Sequence, residues 1–129
     1  AISYIEGPQQ ISLCVRNDAL IIYLYLPLMF KGGYVYIVTN KNKTTLYIGV
    51  TSNLTGRIYE HKDHKYKNSF SDMYNAELLV YYEAFDSIEA AIEREKQIKK
   101  WNRQKKEALI NSINPGWMDL YENVLKELL

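Results

Sequence analysis

Cysteine is all but missing from this chain, with Cys14 the single thiol in 129 residues. One thiol closes no internal disulfide, and no second cysteine or histidine stands near it at zinc-finger spacing. A disulfide scaffold and a structural zinc site are therefore excluded, and a reducing, cytoplasmic setting is expected. An excess of either charge is missing too, since 16 Lys and Arg face 15 Asp and Glu. The overall balance does not mark a nucleic-acid binder, so any such role rests on how the cations are distributed. Long hydrophobic runs are also wanting. The run from Ala19 to Phe30 has twelve residues, too few to cross a bilayer as a helix. It has neither the basic start nor the small-residue cleavage site of a signal peptide, and no membrane association is expected. No internal repeat or low-complexity stretch is evident.

The length suits one domain with a single core and is short for two. Residues 1–28 stand apart, because Gly7-Pro8-Gln9-Gln10 leads into the apolar run without any amphipathic period. They read as a leader or extension ahead of a single domain over residues 29–129. Either the native start is Met29-Phe30-Lys31-Gly32-Gly33, or the segment adds a strand or helix over one face of the core. Tyrosine is plentiful, with 12 copies; most suit a half-buried pleated surface, and only two or three need be chemical.

From Gly33 the pattern is regular. Tyr34 to Thr39 alternates aromatic and β-branched residues, Asn40-Lys41-Asn42-Lys43 is turn chemistry, and Thr44 to Val50 is a second β-rich run, which together predict a hairpin. Ser52-Asn53 offers an N-cap, and Leu54, Ile58 and His61 recur at helical spacing through about Lys62. Asp63 to Asp72 reads as a loop and Glu77 to Phe85 as a third strand. Asp86-Ser87 caps a helix from Ile88 that carries Ala91, Ile92, Glu95, Ile98 and Lys99. A further helix, Arg103 to Ser112, ends before the breaker Asn114-Pro115-Gly116. The order β-β-α-β-α-α predicts an α+β fold, a small, mainly antiparallel three-stranded sheet flanked by helices.

The cations are clustered. Seven basic side chains, Arg94, Lys96, Lys99, Lys100, Arg103, Lys105 and Lys106, occur between Arg94 and Lys106 with one acid, Glu95. The first helix and the loop after it add Arg57, Lys62, Lys65 and Lys67. A lysine-rich helix face is most often simply solvated. Glu95 changes the weighing, since it shares a helical side with Ala91 and Ile98, and a carboxylate aimed at the sheet invites a metal ion. Glu95 and Lys99 also form an ordinary helix-stabilising pair.

Hydrolysis of a phosphodiester needs a proton acceptor for the attacking water, a hard cation at the phosphate, and a rigid positive group for its oxygens. Arg57 supplies a planar, permanently charged fork. Glu95 supplies an oxygen ligand for Mg²⁺, which commonly takes only one or two carboxylates. Tyr36 or Tyr47 could accept the water's proton if a nearby cation lowers a phenol pKa that is ordinarily about 10. His61, one turn beyond Arg57, could relay a proton or orient the water. Singly, Tyr34, Tyr36 and Tyr47 suit strand packing, Arg57 and His61 suit a surface pair, and Gly49 suits a bulge. The set is more specific than its members.

Tyr34-Val35-Tyr36, then Tyr47-Ile48-Gly49, then Thr51-x-Asn53-Leu54-x-x-Arg57-x-x-x-His61, and finally Glu95-x-x-Ile98-Lys99-Lys100-Trp101 resemble the GIY-YIG endonuclease superfamily. The likeness runs from roughly Gly32 to Leu120. It is most similar to small stand-alone members related to the amino-terminal nuclease domain of a bacterial excision-repair endonuclease. The resemblance implies a DNA endonuclease dependent on Mg²⁺ or Mn²⁺, in DNA repair or recombination. Its catalytic residues would be Tyr36, Tyr47, Arg57, His61 and Glu95, with Glu95 on the metal. Lys99, Lys100, Arg103, Lys105 and Lys106 are the candidate nucleic-acid contacts.

Two departures stand out. The first motif reads Tyr-Val-Tyr where the family name has Gly-Ile-Tyr, so Gly33 is displaced by one position. Many members carry an asparagine about a dozen residues after the glutamate; here that position is Glu107, with Asn111 or Asn114 as candidates farther along. Two other classes remain open on the residues alone, a non-catalytic nucleic-acid-binding module and a protein-interaction domain on the same fold.

Overall fold

The computed structural model describes residues 32–64 and 74–128. Residues 1–31, which hold the expected leader, Cys14 and Met29, lie outside the described residues, as do 65–73, most of the expected loop with Lys65 and Lys67. The described elements run β1 (Gly33–Thr39), β2 (Leu46–Thr51), α1 (Leu54–Lys62), β3 (Leu78–Phe85), α2 (Ile88–Lys99), α3 (Arg103–Ile113) and α4 (Tyr121–Leu128). The three strands form one antiparallel sheet in the order β2-β1-β3. The α+β architecture is as expected, with α4 added beyond the Asn114-Pro115-Gly116 breaker.

Local chemistry explains the boundaries. Asn40 Oδ1 accepts the backbone N–H groups of Thr44 and Thr45 at 2.8 and 3.2 Å, and Lys43 takes a left-handed φ of 59°, which closes the β1–β2 turn. Asn53, Ser87 and Asn102 each cap a helix by accepting from an N–H in its first turn, satisfying a donor that the helix itself leaves unpaired.

Alternation along β1 divides the core into two faces. Val35 and Ile37 join Ile48 and Val50 under α2 and α3, whose Ala91, Ile98 and Ile110 are buried against them. Tyr34, Tyr36 and Val38 point the other way, toward Leu54 and Ile58 of α1 and Val124 of α4. Helices on both faces let a three-stranded sheet bury all seven residues of its central strand.

A β-bulge interrupts the β1–β3 pairing. Ile37 pairs with Tyr81 but Val38 with Leu79, so Val80 has no register partner. The extra residue lets Val80 and Tyr81 both enter the core under α2 and α3. Asn114, buried just after α3, donates from Nδ2 to the Val80 carbonyl at 3.0 Å and to the Met118 carbonyl at 2.8 Å, while its Oδ1 accepts from Met118 N. Beside the bulge, Leu79 N donates to Asp119 Oδ1 and Leu79 O accepts from Leu120 N. The segment leading into α4 thereby covers part of the β3 edge.

Replacing Asn114 with Ala would leave the Val80 carbonyl buried without this donor. The expected cost is about 1–3 kcal/mol, read from the midpoint of urea unfolding at unchanged slope.

Candidate active site

Tyr36 lies in the middle of the central strand, fully buried on the α1 face. Its neighbour across β2 is Gly49. A Cβ built on Gly49 would fall 2.4 Å from Tyr36 Oη, so the phenol lies across β2 where only a bare Cα leaves room.

Beyond that crossing the hydroxyl meets two side chains of α1. Arg57 Nε donates to Tyr36 Oη at 3.2 Å, and His61 Nε2 lies 3.0 Å from the same oxygen. Residues four apart share a helix face, and Leu54 and Ile58, both fully buried, hold that helix against the sheet. Tyr47 closes the group. Its ring centroid is 5.3 Å from that of His61 and 6.3 Å from that of Tyr36, and it is half-buried where Tyr36 is inaccessible. The structure thus brings together four predicted site residues, Tyr36, Tyr47, Arg57 and His61.

The electrostatics follow from burial. Burial and the neighbouring Arg57 charge, with His64 contributing, push the His61 pKa down to about 3, so its imidazole is neutral at physiological pH. Burial disfavours the Arg57 cation as well, but Tyr36, Tyr47 and Glu60 outweigh that effect and hold its pKa above the usual value. Glu60 is a member of this group that the motif spacing does not single out. Only 2% exposed, it accepts from Arg57 Nη1 at 3.1 Å. Its signal was available, because an acid three residues after an arginine lies on the same helix face.

Glu95, the fifth predicted site residue, stands apart from this cluster, on the helix that packs against the opposite face of the sheet. It projects from α2 between Ala91 and Ile98, on the helix side that faces Val35, Ile37, Ile48 and Val50. Its side chain is 4% exposed, and the carboxylate pairs with Lys99 Nζ at 2.9 Å. A buried oxygen donor suits a hard cation that keeps most of its shell for water and phosphate. Among the described residues no three His, Cys, Asp or Glu side chains form a metal cage.

The five expected phosphate contacts divide by environment. Arg103 donates to the carbonyls of Lys43 and Thr44 at 2.6 and 2.9 Å and bonds Glu107, tying α3 to the hairpin turn. Lys105 lies over the Trp101 ring at 4.5 Å and Lys99 pairs with Glu95, whereas Lys100 is exposed and Lys106 half-exposed. At the position of the family asparagine, Glu107 pairs with Arg103. Asn111 accepts from Trp117 Nε1 at 2.7 Å, and Asn114 holds the bulge.

Residues 32–108 match the GIY-YIG catalytic domain, and the chain belongs to that family, a nuclease superfamily. Its relatives include a UPF0213 protein of Syntrophus aciditrophicus, 40% identical over 86 residues that make up 67% of this chain and 97% of that protein. A UPF0213 protein of Natronomonas pharaonis is 39% identical over 85 residues, 64% of this chain and 94% of its own. A third, from Staphylococcus haemolyticus, is 40% identical over 80 residues, covering 60% and 92%. No solved structure matches the chain. Among the described residues no helix is long and apolar enough to cross a membrane.

Two outcomes follow from this geometry. Gly49→Ala has to displace the Tyr36 hydroxyl, and such overpacking is expected to cost about 1–3 kcal/mol in thermal or urea unfolding. Because the folded-state pKa of His61 lies below its unfolded value, the unfolded chain binds the extra proton between pH 6.5 and about 3. This contribution to stability is complete above pH 6.5 and erodes as pH falls through that window, by at most about 1.4 kcal/mol per pH unit. Urea titrations across the window should show a flatter slope for His61→Gln.

Proposed function

We propose that this protein is a metal-dependent endonuclease that hydrolyses DNA phosphodiester bonds. The observation that carries the reading is the buried Tyr36 hydroxyl held between Arg57 Nε and His61 Nε2. Strand packing requires a ring at that position but not a guanidinium and a neutral imidazole on its oxygen.

With Nε2 unprotonated, Tyr36 donates its O–H to His61 while accepting from Arg57. His61, held neutral by burial and the Arg57 charge, orients that hydroxyl rather than taking its proton. The acceptor for the proton of an attacking water is the Tyr36 oxygen in its ionised form, once substrate binding lets the water reach it. Arg57, donating to the same oxygen, favours that negative charge on the phenol. Tyr47, half-buried, packs its ring against both Tyr36 and His61. Arg57 is also the group whose planar, permanently charged fork suits phosphate oxygens. Glu95 would hold Mg²⁺ or Mn²⁺, which when bound neutralises the scissile phosphate and the leaving oxygen. Lys100 and Lys106 add phosphate contacts without sequence information.

A gel assay on duplex, nicked and branched DNA, with and without Mg²⁺ or Mn²⁺, tests this reading. Cleavage should require the metal and fall about 10²–10⁴-fold in Tyr36→Phe, Arg57→Ala and Glu95→Gln. No cleavage by the parent on any substrate would sink the proposal. Salt-sensitive binding without cleavage would then identify a non-catalytic nucleic-acid-binding module.

A further inference from the structure

We infer that Glu60 is a positioning residue of this site: its buried carboxylate sets the Arg57 guanidinium so that Nε, rather than an outer nitrogen, meets the Tyr36 hydroxyl. The kinetic part of this inference rests on the nuclease reading, and the structural part does not.

A glutamate on a nine-residue helix has ready access to solvent on the outer face, and full burial of a carboxylate is rare unless it is paired. Glu60 is nonetheless on the inner side, with 1% side-chain exposure against 7% for Arg57. Burying such a pair brings little net stability, because desolvation offsets the attraction, and apolar residues often serve as well. The geometry offers a reason for it. Glu60 Oε1 holds Nη1 at 3.1 Å, and the Nε–H on the opposite edge of the planar group then points to Tyr36 Oη at 3.2 Å. Since guanidinium is rigid, fixing one edge fixes the other.

Glu60 also moderates charge. Among the described residues, the titratable or charged groups around the phenol include Arg57 and His61 from α1 and Tyr47 from β2, with His64 acting on His61. Glu60 is the carboxylate bonded to the Arg57 cation in this group. Without its charge, Arg57 would favour the ionised phenol more strongly.

The test uses the full chain with Glu60→Ala and Glu60→Gln, folding being checked by circular dichroism. Exchange of the Arg57 Nε–H with water is read by NMR, the signal being assigned by its loss in Arg57→Lys. Glu60→Ala should accelerate that exchange roughly tenfold or more, the worth of one charge-assisted hydrogen bond. Glu60→Gln, which keeps an acceptor oxygen, should restore most of the protection. In cleavage assays Glu60→Ala should lose about a hundredfold in kcat with little change in KM. Glu60→Gln should recover much of kcat, with the alkaline-rising limb of the rate moved to lower pH. Unchanged Nε–H exchange in a folded Glu60→Ala, or an unshifted limb in Glu60→Gln, overturns the inference. A parent that cleaves nothing refutes the nuclease reading, while the exchange measurement still decides the role of Glu60.

Discussion

A tyrosine in the central strand of a three-stranded sheet would ordinarily bury its ring beneath a helix and leave its hydroxyl near a convenient backbone group. Tyr36 instead passes across the neighbouring strand at Gly49, where a Cβ would sit 2.4 Å from its oxygen. The missing side chain lets the hydroxyl reach α1 at the level of Arg57 and His61. The rest of the site depends on that crossing. Asn53 sets where α1 begins, and Leu54 and Ile58 set which side faces the sheet, so the helix delivers a guanidinium and an imidazole to one atom. Residues far apart in the chain meet here because a sheet register and a helix phase agree at one residue.

That agreement explains how much could be read from the chain. The hairpin, the caps and the helical spacing of Arg57 and His61 are local rules of turn chemistry and periodicity, and the structure follows them within a residue or two. The β3 bulge is not visible in the sequence, because Val80 looks like any strand residue and its displacement reflects what α3 and Asn114 require. Helix α4 does carry the helical spacing, in Tyr121, Val124, Leu125 and Leu128, but its place in the fold is set by distant contacts. It is short, begins after a breaker, and is held by Val124 in the core and by contacts made far from it in sequence, such as Lys62 with Asp119 at 2.6 Å. Glu60, three residues after Arg57, is legible as a partner of that arginine, but the spacing does not show that the pair will be buried.

The cationic stretch shows how charge along a sequence differs from charge in space. Seven basic residues between Arg94 and Lys106 suggest one electropositive surface. In the fold, Arg94 lies over Trp101 at 5.2 Å and bonds Glu83, Lys105 covers the same ring, and Arg103 secures the hairpin turn. These groups remain positive and can still attract a polyanion, but part of their role is to join α2 and α3 to the sheet. Exposed Lys100, by contrast, contributes chiefly its charge.

Burial is the other constraint that orders the site. A charged imidazole beside Arg57 would face both desolvation and repulsion, so His61 stays neutral and serves as a hydrogen-bond partner of the Tyr36 hydroxyl. The same burial would disfavour the Arg57 cation, yet the phenols and Glu60 hold the charge in place. A neutral imidazole and a permanent cation on one phenol oxygen form a polarised group. The fold sets that polarity, because all three side chains are buried on one strand and one helix whose positions the core fixes.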